Sequence, residues 1–143
     1  MGDEDMDVEA VRKQLSVAVS QQLGSMVSLT VLAGSLRGAA YVGLKLRLRE
    51  FAVAEVTDTE RLVEMFCALG GQLQPMEVPP PPSTDSATAL KEFIERDKQV
   101  MASLHAVIPH SGQEPQSEAL EHLVEHVLLR KQEQLDFLLL AQD

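Results

Sequence analysis

Between Tyr41 and Leu69 the apolar residues advance by threes and fours: Tyr41, Leu44, Leu48, Phe51, then Leu62, Met65 or Phe66, and Leu69. This is the spacing of a helix that turns one stripe toward a core. Carried through the gap between Phe51 and Leu62, the same count puts Glu55 and Asp58 on the buried seam. Ionised carboxylates inside a helix bundle are costly unless they meet a cation, a metal or hydrogen-bond donors. The remainder of the chain therefore has to supply a partner for them.

At 143 residues the length suits one domain with a single core of four helices, 1–143. Aromatic residues make up only 3% and Trp is absent, so Leu, Val, Ala and Met must fill the interior, which favours an all-α fold. A formal charge of −10 repels phosphate backbones and anionic membranes, so neither nucleic acid nor a membrane is expected as partner. Cys67 is the only cysteine, which excludes a disulfide framework and a thiolate cluster; its apolar surroundings in sequence point to a core or interface thiol. The acidic start MGDEDMDVE is unlike a signal peptide, and no uninterrupted apolar run reaches the ~18 residues of a membrane span. A cytoplasmic location follows as the expectation.

Residues 1–6 read as a flexible tail, and Asp7 as the cap of a first helix from about Val8 to Ala33 with Glu9 in its first turn. Its seam counts as Leu15, Val19, Gln22, Met26, Leu29 and Ala33. A second apolar row, Val17, Val27 and Val31, lies off that seam and calls for another cover, which a second subunit would give. Gly34 to Gly38 makes a tight turn into the second helix, and Gly70-Gly71 ends that helix. The proline-rich stretch 71–86, extended at ~3 Å per residue, reaches roughly 45 Å, the length of a 30-residue helix. It can therefore return the chain along the whole bundle, so that the third helix runs parallel to the second. That third helix, from about Ala87 to Val107, has the seam Leu90, Ile94 with Phe93, Asp97, Met101, Leu104 and Ile108. Ser117 is placed to cap the fourth helix, whose seam is Leu120, Val124, Val127, Lys131, Gln134, Leu138 and Ala141.

Polar residues thus interrupt three seams at similar depth: Gln22, Glu55 with Asp58, and Lys131 with Gln134. They point to one shared buried polar layer, with Asp97 either its neighbour or a surface residue. Within it Lys131 is the obvious cation for Glu55, with Asp58 a second candidate partner, and Gln22 and Gln134 can satisfy what hydrogen bonds remain. His122 and His126, four apart on the fourth helix, lie off the seam and suit a solvated face or a subunit contact; His105 and His110 flank a turn and have no evident partners. No Gly-rich phosphate loop or Ser-His-Asp arrangement is present.

The segment EVTDTERLVEMFCALGG, Glu55 to Gly71, resembles the second helix of bacterioferritins and related ferritin-like proteins, with its E-x-x-H, A-D-R-L-I-E and closing L-G-G. The segment RKQEQLDFL, Arg130 to Leu138, is similar to their fourth helix, E-E-x-H-I-D-F-L. The resemblance implies a ferritin-like four-helix bundle with one long crossover between the second and third helices, and in the family a di-iron centre in its core. Residue by residue, however, the ligands fail to carry over. Glu55 matches the bridging glutamate, but Asp58 stands for the first histidine, Gln22 for the first-helix carboxylate, Met101 for the third-helix glutamate, and Lys131 and Gln134 for the fourth-helix glutamate and histidine. The family's haem-binding methionine is Val56 here, so no metal, haem or other cofactor is expected. The resemblance further implies no closed shell, because the short fifth helix such cages use is missing from a chain that reaches only to Asp143.

Three functional readings follow. The first is a ferritin-like protein that has exchanged its di-iron centre for a buried ion-pair network and acts as a structural or interaction subunit, a homodimer through its first and second helices. The second is a metal-free enzyme or a binder of a small-molecule ligand in the bundle core, with Glu55, Asp58 or Lys131 as catalytic candidates. The third is residual metal binding related to iron storage. An interior cavity beside Gly24, Ser25, Ala52 and Ala54 would favour the second reading.

Overall fold

The computed structural model describes residues 5–142. It is all-α: α1 (Val8–Ser35), a 3-10 turn (Ala39–Tyr41), α2 (Val42–Ala68), α3 (Ser86–His105), a second 3-10 turn (Ile108–His110) and α4 (Pro115–Ala141). Asp7 caps α1 as its position suggests, its carboxylate accepting from the Ala10 N–H at 3.1 Å. Asp85 caps α3 in the same way, and hydrogen bonds from the Thr88 hydroxyl and backbone N–H hold its carboxyl below the usual aspartate range. The start of α4 differs from expectation. The helix opens at Pro115, preorganised for a first turn, and Ser117 lies inside that turn with its hydroxyl hydrogen-bonded to Glu114.

The end of α2 is a Schellman motif: Gly70 has φ +84°, its N–H bonds to the Cys67 carbonyl, and the Gly71 N–H bonds to the Phe66 carbonyl. Both glycines are required there, Gly70 by its backbone and Gly71 because a Cβ would overlap the Phe66 ring. From this point the crossover runs back along the bundle. Ser86, at the start of α3, meets Arg37 beside the start of α2 through a 3.0 Å hydrogen bond, so α3 does run parallel to α2. Each helix packs on two neighbours, in the cyclic order α1, α2, α4, α3.

The core divides into two apolar clusters. One gathers Val11, Leu15, Leu62, Phe66, Leu104 and Val124 with their neighbours, the other Leu29, Leu48, Phe51, Leu90, Phe93 and Leu138. Burying side chains of this size contributes ~1.5–3 kcal/mol each and is the main source of stability. The seams depart from the simple count in several places: Ser25 is buried rather than Met26, Leu32 rather than Ala33, Val100 rather than Met101 and Val107 rather than Ile108, while Ala141 is exposed. A step of three or four approximates 3.6, and the error shows where neighbouring residues compete for one position.

Two further expectations change. The reading of residues 1–6 as a tail lies, for 1–4, outside the described residues, and at Met6 it is overturned. Met6 is buried in the first cluster, its N–H hydrogen-bonded to the Glu114 carboxylate, while the Asp7 N–H bonds to the His110 carbonyl at 3.0 Å. Second, the row Val17, Val27 and Val31 is partly covered by the chain itself, because the crossover lies over it: Val17 shares a cleft with Leu73 and Met76, and Val27 and Val31 share one with Pro79 to Pro82.

Candidate functional site

Between the two apolar clusters every helix contributes polar side chains that are nearly free of solvent: Gln22 and Ser25 from α1, Glu55, Asp58 and Thr59 from α2, Asp97 from α3, and Lys131 and Gln134 from α4. Their position follows from helical periodicity, since each lies three or four residues from a buried apolar member of at least one cluster. Lys131, only 1% exposed, is at the centre. Its ammonium donates to Glu55 Oε1 at 2.8 Å and to Asp97 Oδ1 at 2.8 Å. Ser25 donates to the same Asp97 oxygen at 2.9 Å, and the Gln22 amide nitrogen lies 3.3 Å from Glu55 Oε2 and 3.1 Å from Thr59 Oγ1.

Asp58 does not join this triad. Its carboxylate turns toward the rim, where Arg130 Nε lies 3.0 Å from Oδ2 and His126 Nε2 lies 3.7 Å from Oδ1, both from side chains more than a third exposed. The suggested Asp58–Lys131 pairing is therefore replaced by Asp97–Lys131, and Asp97, left open between core and surface, lies in the layer. Gln134 is buried as its seam position requires, but neither atom of its amide has a hydrogen-bond partner in the protein.

The charge count determines the electrostatics. One buried ammonium faces two carboxylates, so one negative charge is left over. Burial alone would lower the lysine pKa, but the attraction and hydrogen bonds of Glu55 and Asp97 outweigh it and hold Lys131 above the ordinary lysine value. Burial pushes the Glu55 carboxyl up, Lys131 only partly offsets this, and the nearby Asp97 and Asp58 carboxylates push it further. The surplus charge is thus relieved at Glu55, which holds a proton more readily than a free glutamate.

Sequence spacing missed Ser25, Thr59, His126 and Arg130. The first two are too small and weakly polar to register as interruptions of a stripe. His126 and Arg130 lie on the exposed side of α4, and only the helix-to-helix geometry reveals that they reach over Asp58. Cys67, expected as a core or interface thiol, is exposed on α2, so the core alternative is excluded. His122 is exposed, and His105 is exposed at the end of α3.

Three of the small residues around the layer are engaged otherwise. Ser25 is bonded to Asp97, Gly24 faces Pro79 across ordinary contact distance, and Ala52 belongs to an outer cleft between α1 and α2. The clefts under the crossover and along α1 and α2 are lined by none of Glu55, Asp58 and Lys131.

Comparison with known proteins agrees with this architecture. No curated protein matches the chain. Among solved structures, a dodecameric thioferritin, the bacterioferritin-related protein from Bacteroides fragilis, superposes with a TM-score of 0.82 over 96% of this chain and 86% of that one, at 16% identity. Such an identity bears on the fold alone. The family model of the ferritin-like domain matches residues 12–142, all four helices included, and the chain accordingly belongs to the ferritin-like family.

Proposed function

We propose that this chain is a ferritin-like protein in which an ion-pair network takes the place of the di-iron centre, and that it works as a structural or interaction subunit. The observation that carries the reading is the position of the Lys131 ammonium, 2.8 Å from Glu55 and 2.8 Å from Asp97. A pair of irons needs several anionic oxygens with imidazoles. Here the central carboxylates are occupied by a lysine, Asp58 is held by Arg130, and among the described residues no three His, Cys, Asp or Glu side chains converge as a metal-holding group. The residues present do not fit the group that the fold implies. Protein produced with ample iron is expected to carry less than one iron per chain and to show no ferroxidase activity. Two irons per chain by elemental analysis would overturn the reading and establish residual iron binding instead.

As a subunit, it needs a surface to present. On the outer side of α2, Val42, Leu46, Val53 and Val56 are all more than half exposed, and with Thr30, Ala33 and Gly34 of α1 they line one shallow groove. The stripe continues as Val42, Leu46, Arg49, Val53, Val56, Glu60, Val63 and Cys67, a strict alternation of fours and threes. Read about a twofold axis between Val53 and Val56, it is self-complementary: Val53 meets Val56, Arg49 meets Glu60, Leu46 meets Val63, and Val42 meets Cys67 of the second copy. A homodimer through α2, with α1 at its edge, is the assembly this stripe supports. Light scattering after size exclusion should give about twice 15.7 kDa. A monomer would mean that the stripe is merely solvated, and a particle of twelve or more subunits would show that the dimer is only part of a larger assembly.

A further inference from the structure

The crossover does more than return the chain. Where Pro79 to Pro82 pass over α1 and α3 they roof a cleft of about 260 Å³ whose walls are Val27, Val31, Leu32 and Phe93. Arg96 stands at this cleft and also lines a second hollow of about 250 Å³ beneath the same strand. Its guanidinium donates to Ser28 across the α1–α3 interface, a neutral acceptor. Glu92 lines the same cleft and Glu77 the second hollow, yet among the described residues no carboxylate lies within 4.0 Å of Arg96. Arg96 is thus a half-buried cation with a neutral partner, placed next to an apolar cleft.

We propose that this cleft binds a short aliphatic carboxylate, its hydrocarbon tail among Val27, Val31, Phe93 and the prolines and its carboxylate on Arg96 beside Ser28. A planar guanidinium takes a carboxylate through two parallel hydrogen bonds, and partial burial strengthens them. The cleft is slightly below the ~300 Å³ at which drug-sized pockets begin, which limits the tail to a few carbons. Rigid prolines make the roof preformed, so little ordering opposes binding. The cleft shares no lining residue with the groove on α2, and it is independent of whether the polar layer holds a metal.

The test is calorimetric or NMR titration of the whole protein with butanoate, hexanoate and octanoate, and with hexan-1-ol as the uncharged control. Affinity should rise about fourfold for each added methylene until the cleft is full, then stop rising. Hexanoate should bind at least tenfold more tightly than hexan-1-ol. Arg96→Gln should erase that preference while hexan-1-ol binding persists, and Glu92→Gln, which removes a nearby negative charge, should tighten hexanoate severalfold. Val31→Trp, on an exposed helix face, should fill the cleft and abolish binding of both, which serves as the deciding variant if Arg96→Gln does not fold. Equal binding of acid and alcohol, unchanged affinity in Arg96→Gln or Val31→Trp, or no saturation at millimolar hexanoate would each overturn the proposal.

Discussion

Glu55 and Asp58 are one turn apart on the same helix and equally hidden from solvent, yet they find their cations in opposite directions. Glu55 faces inward to an ammonium that is itself buried and shared with Asp97; Asp58 faces the rim, where Arg130 and His126 bend over it from the water side. The difference shows how one helix can carry acidic groups on a buried seam at two very different levels of risk. An inward pair is unscreened and has no substitute partner if one member is lost. In a rim pair the cation keeps access to water even where the carboxylate is buried, so solvent and counterions take over part of its role when it is removed.

The largest expected effect comes from breaking the inward side. Lys131→Met would leave two carboxylates facing one another in a dry layer, at a cost on the order of 3–5 kcal/mol. Thermal or urea unfolding would read it directly, and an unchanged midpoint would mean that the triad is not formed. Adding Glu55→Gln and Asp97→Asn to the same variant should recover much of the loss, since no buried charge is then unpaired.

The triad also sets a pH dependence whose sign can be worked out. Lys131 has a raised folded-state pKa, so its contribution is fully present below the unfolded value of ~10.4 and is lost as pH climbs through the folded value. Glu55 is also raised, but as an acid: the folded protein keeps its proton where the unfolded chain, at ~4.3, gives it up. Its contribution therefore makes stability decline as pH rises from about 4.3 toward the folded value. Glu55→Gln should flatten that decline when unfolding free energy is followed from pH 4 upward. A slope identical to wild type would show that Glu55 ionises in the fold as it does in the unfolded chain.

On the rim side the effect should be smaller and salt-sensitive. Arg130→Ala removes the 3.0 Å contact with Asp58 but leaves His126 and solvent in reach, for an expected loss of ~1–2 kcal/mol. Raising the salt concentration should shrink this difference while leaving the Lys131→Met difference nearly intact. Equal salt dependence in the two variants would erase the distinction between the inward and outward carboxylates.

The same contrast explains what could be read from the sequence. Helical periodicity reports depth along a helix and which face is turned in, so the four helices and the burial of Gln22, Glu55, Asp58, Lys131 and Gln134 were legible, and the reach of the proline-rich stretch made the crossover with α3 parallel to α2 legible as well. It does not report which residue of a neighbouring helix stands opposite. In sequence Asp58 is thus the second candidate partner of Lys131, with Asp97 left between layer and surface, and only the packing of α3 against α4 decides for Asp97. Contacts that depend on an irregular segment were illegible for a different reason. Nothing in a proline run says which groove it will follow, so the partial cover it gives to Val17, Val27 and Val31 emerged only from the fold. Met6, seated beneath the loop before α4, is a second case.

The smallest expected effect also tests the comparison most finely. Gln134 lies one turn beyond Lys131 on α4 and is just as buried, but its amide donates to nothing and accepts from nothing in the protein. If the polar layer is a network in which every member contributes, Gln134→Leu should be destabilising. On the geometry described here it should be neutral or stabilising by up to ~1 kcal/mol, because two unpaired polar atoms are exchanged for apolar surface of similar volume next to Leu135 and Leu138. The change would extend the second apolar cluster toward the triad without touching Lys131, so the pH dependence assigned to Glu55 should survive it. A loss above ~1 kcal/mol would mean that the amide is satisfied through bound water, since a buried water typically makes about three hydrogen bonds and is costly to displace. In that case the layer would be cooperative from Gln22 to Gln134 rather than a triad with passive neighbours.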